Sequence, residues 1–175
     1  MPETLPLPTG PAGLPPPGGM AVAVAFDWAI GAQIIFQTLS GAVGQPPPNR
    51  ALALPMLAIA GVPLFIGERL RRGDQRFRRW QIGGSAVLGL SGWLSLPWTW
   101  HVLVTPGSPS RLSLVIILLM PGWIAWRLSL PRTRRWFQQV TPAQAISRHG
   151  GHWLAIVIAS SGVSGVLVAL SQRRP

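Results

Sequence analysis

Apolar and polar positions alternate along this chain in long blocks rather than short periods. Five mainly apolar runs stand out, at 20–43, 51–66, 80–104, 112–130 and 153–170. Each approaches the roughly twenty residues that a helix needs to cross a bilayer's hydrocarbon core, except the second, which is short. Pro55 and Pro63 fall inside that second run, so a re-entrant or interfacial segment is the alternative to a crossing there. The pattern predicts an all-α integral membrane protein, a bundle of four to five transmembrane helices. Just before the last run, Thr141, Pro142 and Gln144 match an N-cap, an N1 proline and a capping-box partner, and Gly150 and Gly151 follow as breakers. A short interfacial helix over 141–149 is expected, lying along head groups, against a partner, or against the last span.

The flanks read differently. Residues 1–19 are rich in proline and glycine, carry no basic residue, and are expected to form a disordered or polyproline-like tail. They lack the charged start of a secretory signal, and Met20 is a second candidate start. The transmembrane domain is expected over 20–172, with a short basic tail at 173–175.

Composition agrees with the blocks. The chain is 48% hydrophobic and 11% charged, where soluble domains have about a quarter of their residues charged. It has no cysteine, which excludes disulfides and thiolate metal sites. The net charge of +11 comes from arginine alone among the basic residues counted. Those arginines flank apolar runs instead of covering one face, so nucleic acid is not an expected partner.

Arginine placement also predicts orientation. Arg69, Arg71, Arg72, Arg76, Arg78 and Arg79 fill one polar segment, while Arg127, Arg132, Arg134, Arg135 and Arg148 fill another. Two runs separate the clusters, so both fall on one side, as the positive-inside rule requires. The N-terminus is then cytoplasmic and the C-terminus external, with Arg173 and Arg174 opposing the trend. A second run that does not cross would move the N-terminus outside. Arg69, Arg71, Arg72, Arg76, Arg78, Arg79, Arg132, Arg134 and Arg135 are expected to contact anionic lipid head groups. Trp80, Trp126, Trp136 and Trp153 border the basic side, Trp98 and Trp100 the opposite mouth, and Trp28, Trp93 and Trp123 lie deeper as expected packing residues.

Candidate chemistry is sparse. Asp27 is the one acid embedded in an apolar run, and with Gln33 and Gln37 it forms a candidate transport or proton site. Ser85, Gly89 and Gly92, and likewise Ser161, Ser164 and Gly165, form small-residue stripes suited to close helix packing. Glu68 with Arg72, and Asp74 among arginines, read as charge compensation. His101, His149 and His152 are candidate ligands of a haem or chlorophyll, although His101 and His152 fall at opposite ends of their spans. No metal site and no cofactor is the leading expectation. No Ser–His–Asp set, phosphate loop or carboxylate pair is visible, so no enzyme activity is expected. The expected role is a non-catalytic accessory, structural or assembly subunit of a larger membrane complex. The alternatives are a haem- or chlorophyll-binding subunit of an energy-transducing complex and a small oligomeric transporter. Expected partners are membrane lipids, other membrane subunits or further copies of the chain. The expected location is a bacterial cytoplasmic or intracytoplasmic membrane, or a thylakoid.

Overall fold

A computed structural model describes residues 17–44, 50–105 and 110–171. Of the tail expected over 1–19, positions 1–16 fall outside these residues, and so does the basic tail expected over 173–175. Among them the chain is helical throughout: α1 (Met20–Gly44), α2 (Arg50–Arg71), α3 (Gln75–Val104), α4 (Ser110–Ser129), α5 (Pro131–Gln139), α6 (Pro142–Arg148) and α7 (Gly151–Ser171). Two segments, Met20–Leu39 and Leu52–Arg71, are long and apolar enough to cross a membrane. Up to four qualify if each of two bent pairs counts as one span. The third apolar run is not among them, since glycines, serines and tryptophans such as Gly83, Gly84, Ser85, Ser91 and Trp93 interrupt its aliphatic residues.

The second run, doubtful by its prolines, forms one continuous helix with Pro55 and Pro63 inside it. Each proline removes a single N–H and leaves the rest of the ladder in place. The helix continues past residue 66 to Arg71 and ends in a Schellman turn: Gly73 N donates to Leu70 O at 3.0 Å and Asp74 N to Arg69 O at 3.1 Å. Gly73 takes φ 77°, which suits glycine, and a β-carbon there would sit 2.9 Å from Val140 Cγ1. Asp74 then caps α3 by accepting from Arg76 N at 2.9 Å. That cap starts α3 at Gln75, ahead of the apolar run.

α5 was not expected. Pro131 opens it at an angle of 62° to α4. Proline has no N–H for the carbonyl of Arg127, and the Thr133 hydroxyl supplies the missing donor at 3.0 Å. α6 carries the expected capping box in full: Thr141 N donates to Gln144 Oε1 at 3.0 Å and Gln144 N donates to Thr141 Oγ1 at 3.3 Å. α7 leaves α6 at 72° through Gly151, at φ 56°.

α1 is the central helix, packed between α2 and α7, while α3 and α4 form a second antiparallel pair. Glycines set the close approaches. A β-carbon on Gly165 would lie 2.7 Å from Ala29 O, and one on Gly31 would lie 2.7 Å from Leu64 Cγ. The hydrophobic core gathers at one end, where Met20, Val24, Leu70, Leu128, Trp136 and Phe137 meet. That end holds the start of α1, the end of α2, the start of α3 and the end of α4, so both arginine clusters share it.

Candidate functional site

Two polar assemblies tie the helices together. The first joins the two halves of the bundle in the apolar interior. Asp27 on α1 is buried, and its Oδ1 accepts from Gln81 Nε2 on α3 at 2.7 Å. Its Oδ2 is also buried and has no hydrogen-bond partner. A buried carboxyl with one oxygen unmatched is costly, so the Gln81 amide is the main polar support for Asp27 at this depth.

The second assembly lies at the basic end and caps helix termini reciprocally. Arg71 Nη1 donates to His149 O at 2.9 Å, and His149 Nδ1 donates to Arg71 O at 3.3 Å. Each carbonyl stands at a helix end where no backbone donor follows. Glu68 holds the Arg71 guanidinium in a two-pronged pair, both bonds at 2.7 Å, and its Oε1 also accepts from Arg72 Nε at 2.7 Å. The His149 ring lies 5.5 Å from that of Trp136 and 4.7 Å from that of Trp153. Burial there lowers the His149 pKa below its ordinary value, with the nearby Arg71 and Arg148 charges acting the same way and the Arg71 carbonyl opposing them. Arg78 completes the end by donating from Nη1 to Leu128 O, an orphan carbonyl of α4, at 2.7 Å.

Between the two helix groups, an apolar cleft of about 480 Å³ opens among α1, α4 and α7. Phe26, Ile30, Ile117 and Met120 wall it, and Gln33, Ser161 and Ser164 add polar atoms. Gln33 therefore lies on the cleft, whereas Asp27 turns toward α3. Gln37 is part-buried farther along α1. The three do not form one site.

The histidines are also dispersed. His101 is exposed at the far end of α3, where its Nδ1 meets Trp98 O at 3.1 Å. At about 1.5 Å per residue it stands roughly 40 Å along α3 from Gln75. His152 is exposed at the start of α7, and His149 is enclosed by the capping assembly. Among the described residues, no three histidine, aspartate or glutamate side chains come together.

The small-residue stripes face neighbouring helices at five of their six positions. Ser85, Gly89 and Gly92 are buried, with Gly89 and Gly92 against α4, and Ser161 and Gly165 are buried on α7. Ser164 is exposed at the cleft. Of the arginines assigned to head groups, Arg69, Arg72, Arg76, Arg79, Arg132, Arg134 and Arg135 are exposed, but Arg71 and Arg78 turn inward and cap carbonyls. That is a correction, and its cause is the orphan carbonyls that helix ends leave. Trp28 packs inward and donates to Leu64 O at 3.2 Å. Trp93 and Trp123, expected as packing residues, are exposed.

Sequence reading missed Gln81 as the partner of Asp27. The signal was present: the stripe of Ser85, Gly89 and Gly92 continues backward at helical spacing to Gln81 and Arg78, and all five are buried on α3. Compared with protein-family models, curated proteins and solved structures, the chain matches none.

Proposed function

We propose that this chain is a multi-pass membrane protein serving as a non-catalytic accessory or assembly subunit of a larger membrane complex. The observation that carries this reading is the inverted face pattern of α3. Its buried positions are Arg78, Gln81, Ser85, Gly89 and Gly92, while Trp80, Val87, Leu90, Leu94 and Trp98 are exposed. In water that arrangement leaves a large apolar surface uncovered. In lipid it is the favourable one, because small and polar residues pack between helices and large apolar ones face the chains. α7 repeats the pattern, with Ser161 and Gly165 inward and Ile156, Val163 and Leu167 outward.

Exposed arginines at the shared end favour a cytoplasmic position for it and for the start of α1 in a bacterial membrane. The buried Gln81 and Arg78 side chains each bond a neighbouring helix, and the outward surface is what a neighbouring subunit would meet. The test is a carbonate wash of native membranes, followed by purification in mild detergent with an absorption spectrum. Retention in the membrane with stoichiometric partner bands is expected. A Soret or chlorophyll absorption that follows the protein would replace this reading with a pigment-binding subunit, using exposed His101 or His152.

Asp27 supports a second reading, a small oligomeric transporter. Its unmatched Oδ2 is the specific observation. Loss of proton or cation flux in reconstituted Asp27→Asn vesicles would favour it over the first.

A further inference from the structure

α2 and α3 separate along their outer side and leave a groove of about 770 Å³. Ile66, Val87 and Leu88 give it apolar walls, Gly83 and Gly84 form its floor, and Arg79 and Trp80 stand at its basic-end mouth. From Arg79 to Ser91 it extends about 18 Å, comparable to the roughly 15 Å depth of one leaflet's hydrocarbon. Arg79 is exposed and pairs with no acid among the described residues, since Glu68 is committed to Arg71 and Arg72. Arg76, one turn earlier, is exposed as well.

We infer that this groove binds one anionic phospholipid, its phosphate on Arg79 with Arg76 beside it and an acyl chain laid over Gly83 and Gly84. The inference rests on the membrane reading above. Charge complementarity selects the occupant. A fixed cation at head-group depth heads an apolar channel of leaflet length, and an anionic head with an apolar tail matches both. A second copy inserted in the same orientation would bring its own Arg76 and Arg79 to the same level, where like charges repel. The glycines fit the lipid too. A β-carbon on either Gly83 or Gly84 would meet nothing within 4 Å, so packing inside the chain does not require them, although glycine in a helix interior is unfavourable relative to alanine.

The test begins with the carbonate wash, then measures binding of phosphatidylglycerol and phosphatidylcholine to the detergent-purified full chain by native mass spectrometry. Phosphatidylglycerol should bind more tightly. Arg79→Gln should weaken it about fivefold and leave phosphatidylcholine unchanged. Gly84→Leu, whose β-carbon meets nothing in the chain within 4 Å, should weaken both lipids without lowering the thermal midpoint. Arg135→Gln, an exposed arginine of the same end, should change neither. Equal affinity for the two lipids would overturn the site, as would equal losses from Arg79→Gln and Arg135→Gln. Unchanged lipid binding in Gly84→Leu with loss of a dimer would assign the groove to a second copy and overturn the lipid. Release of the chain by carbonate would overturn the membrane reading itself, whereas retention without lipid preference would overturn the site alone.

Discussion

The close contact between α1 and α7 makes a quantitative prediction at Gly165. An alanine β-carbon there would stand 2.7 Å from Ala29 O, 2.9 Å from Gln33 N and 2.9 Å from Ala32 Cβ. Two of those atoms are backbone, so no side-chain rotation relieves the clash. α7 must retreat by about 0.7 Å to bring the 2.7 Å approach to ordinary contact, and overpacking of this kind costs about 1–3 kcal/mol. Gly162, on the same helix, meets nothing within 4 Å. Both substitutions gain the same helix propensity, about 1 kcal/mol, so the difference between them isolates the clash. At about 2–4 °C per kcal/mol for a chain of this length, Gly165→Ala should melt about 2–12 °C below Gly162→Ala. The assay is thermal unfolding in mild detergent followed by tryptophan fluorescence, with both variants at equal concentration. If Gly165→Ala melts at or above Gly162→Ala, α7 does not lie on α1 as described, and the small-residue contact is not what joins them.

Two further predictions address the polar assemblies. Gln81→Leu leaves the buried Asp27 carboxyl without its donor and should cost about 1–3 kcal/mol, while Asp27→Asn, which removes the charge and can keep the Gln81 bond, should cost less; equal costs in denaturant titrations would show that the pair does not bridge α1 and α3. His149, with its pKa lowered by burial, takes up a proton less readily when folded than when unfolded. Stability should therefore be flat above the ordinary histidine value of about 6.5 and fall on acidification below it, by up to about 1.4 kcal/mol per pH unit. His149→Phe should lower the neutral plateau and flatten the acid limb, and an unchanged limb would assign the acid sensitivity to other groups.

Much of the helix pattern was legible because the signals were local. The capping box at Thr141 and Gln144 lies within four residues, and the apolar runs declare their own length. The limits of α2 were harder, because its end is decided by Gly73 and by Val140, far along the chain, which packs where a side chain would otherwise stand. α5 was hidden by its charge: a run of arginines reads as a loop, yet Thr133, Trp136 and Phe137 are buried and hold it as a helix.

The candidate site was the least legible part, and the reason lies in what arginine can do at a helix end. Sequence reading treats a cluster of arginines as one electrostatic object, since screening and lipid attraction depend on the number of charges near a surface. Hydrogen bonding divides the cluster. Arg71 and Arg78 lie within reach of orphan carbonyls on α6 and α4 and bury their guanidinium groups to satisfy them, while Arg76 and Arg79, on the outer side of the same segment, remain exposed. The distinction depends on where α4 and α6 end, and those ends are set by Pro131 and by the glycines after His149. A substitution at Arg78 should thus destabilise the bundle, whereas one at Arg79 should leave the fold intact and change only what the surface binds. The same charge on one turn of helix therefore carries two separable roles, and the arrangement of terminal carbonyls assigns them.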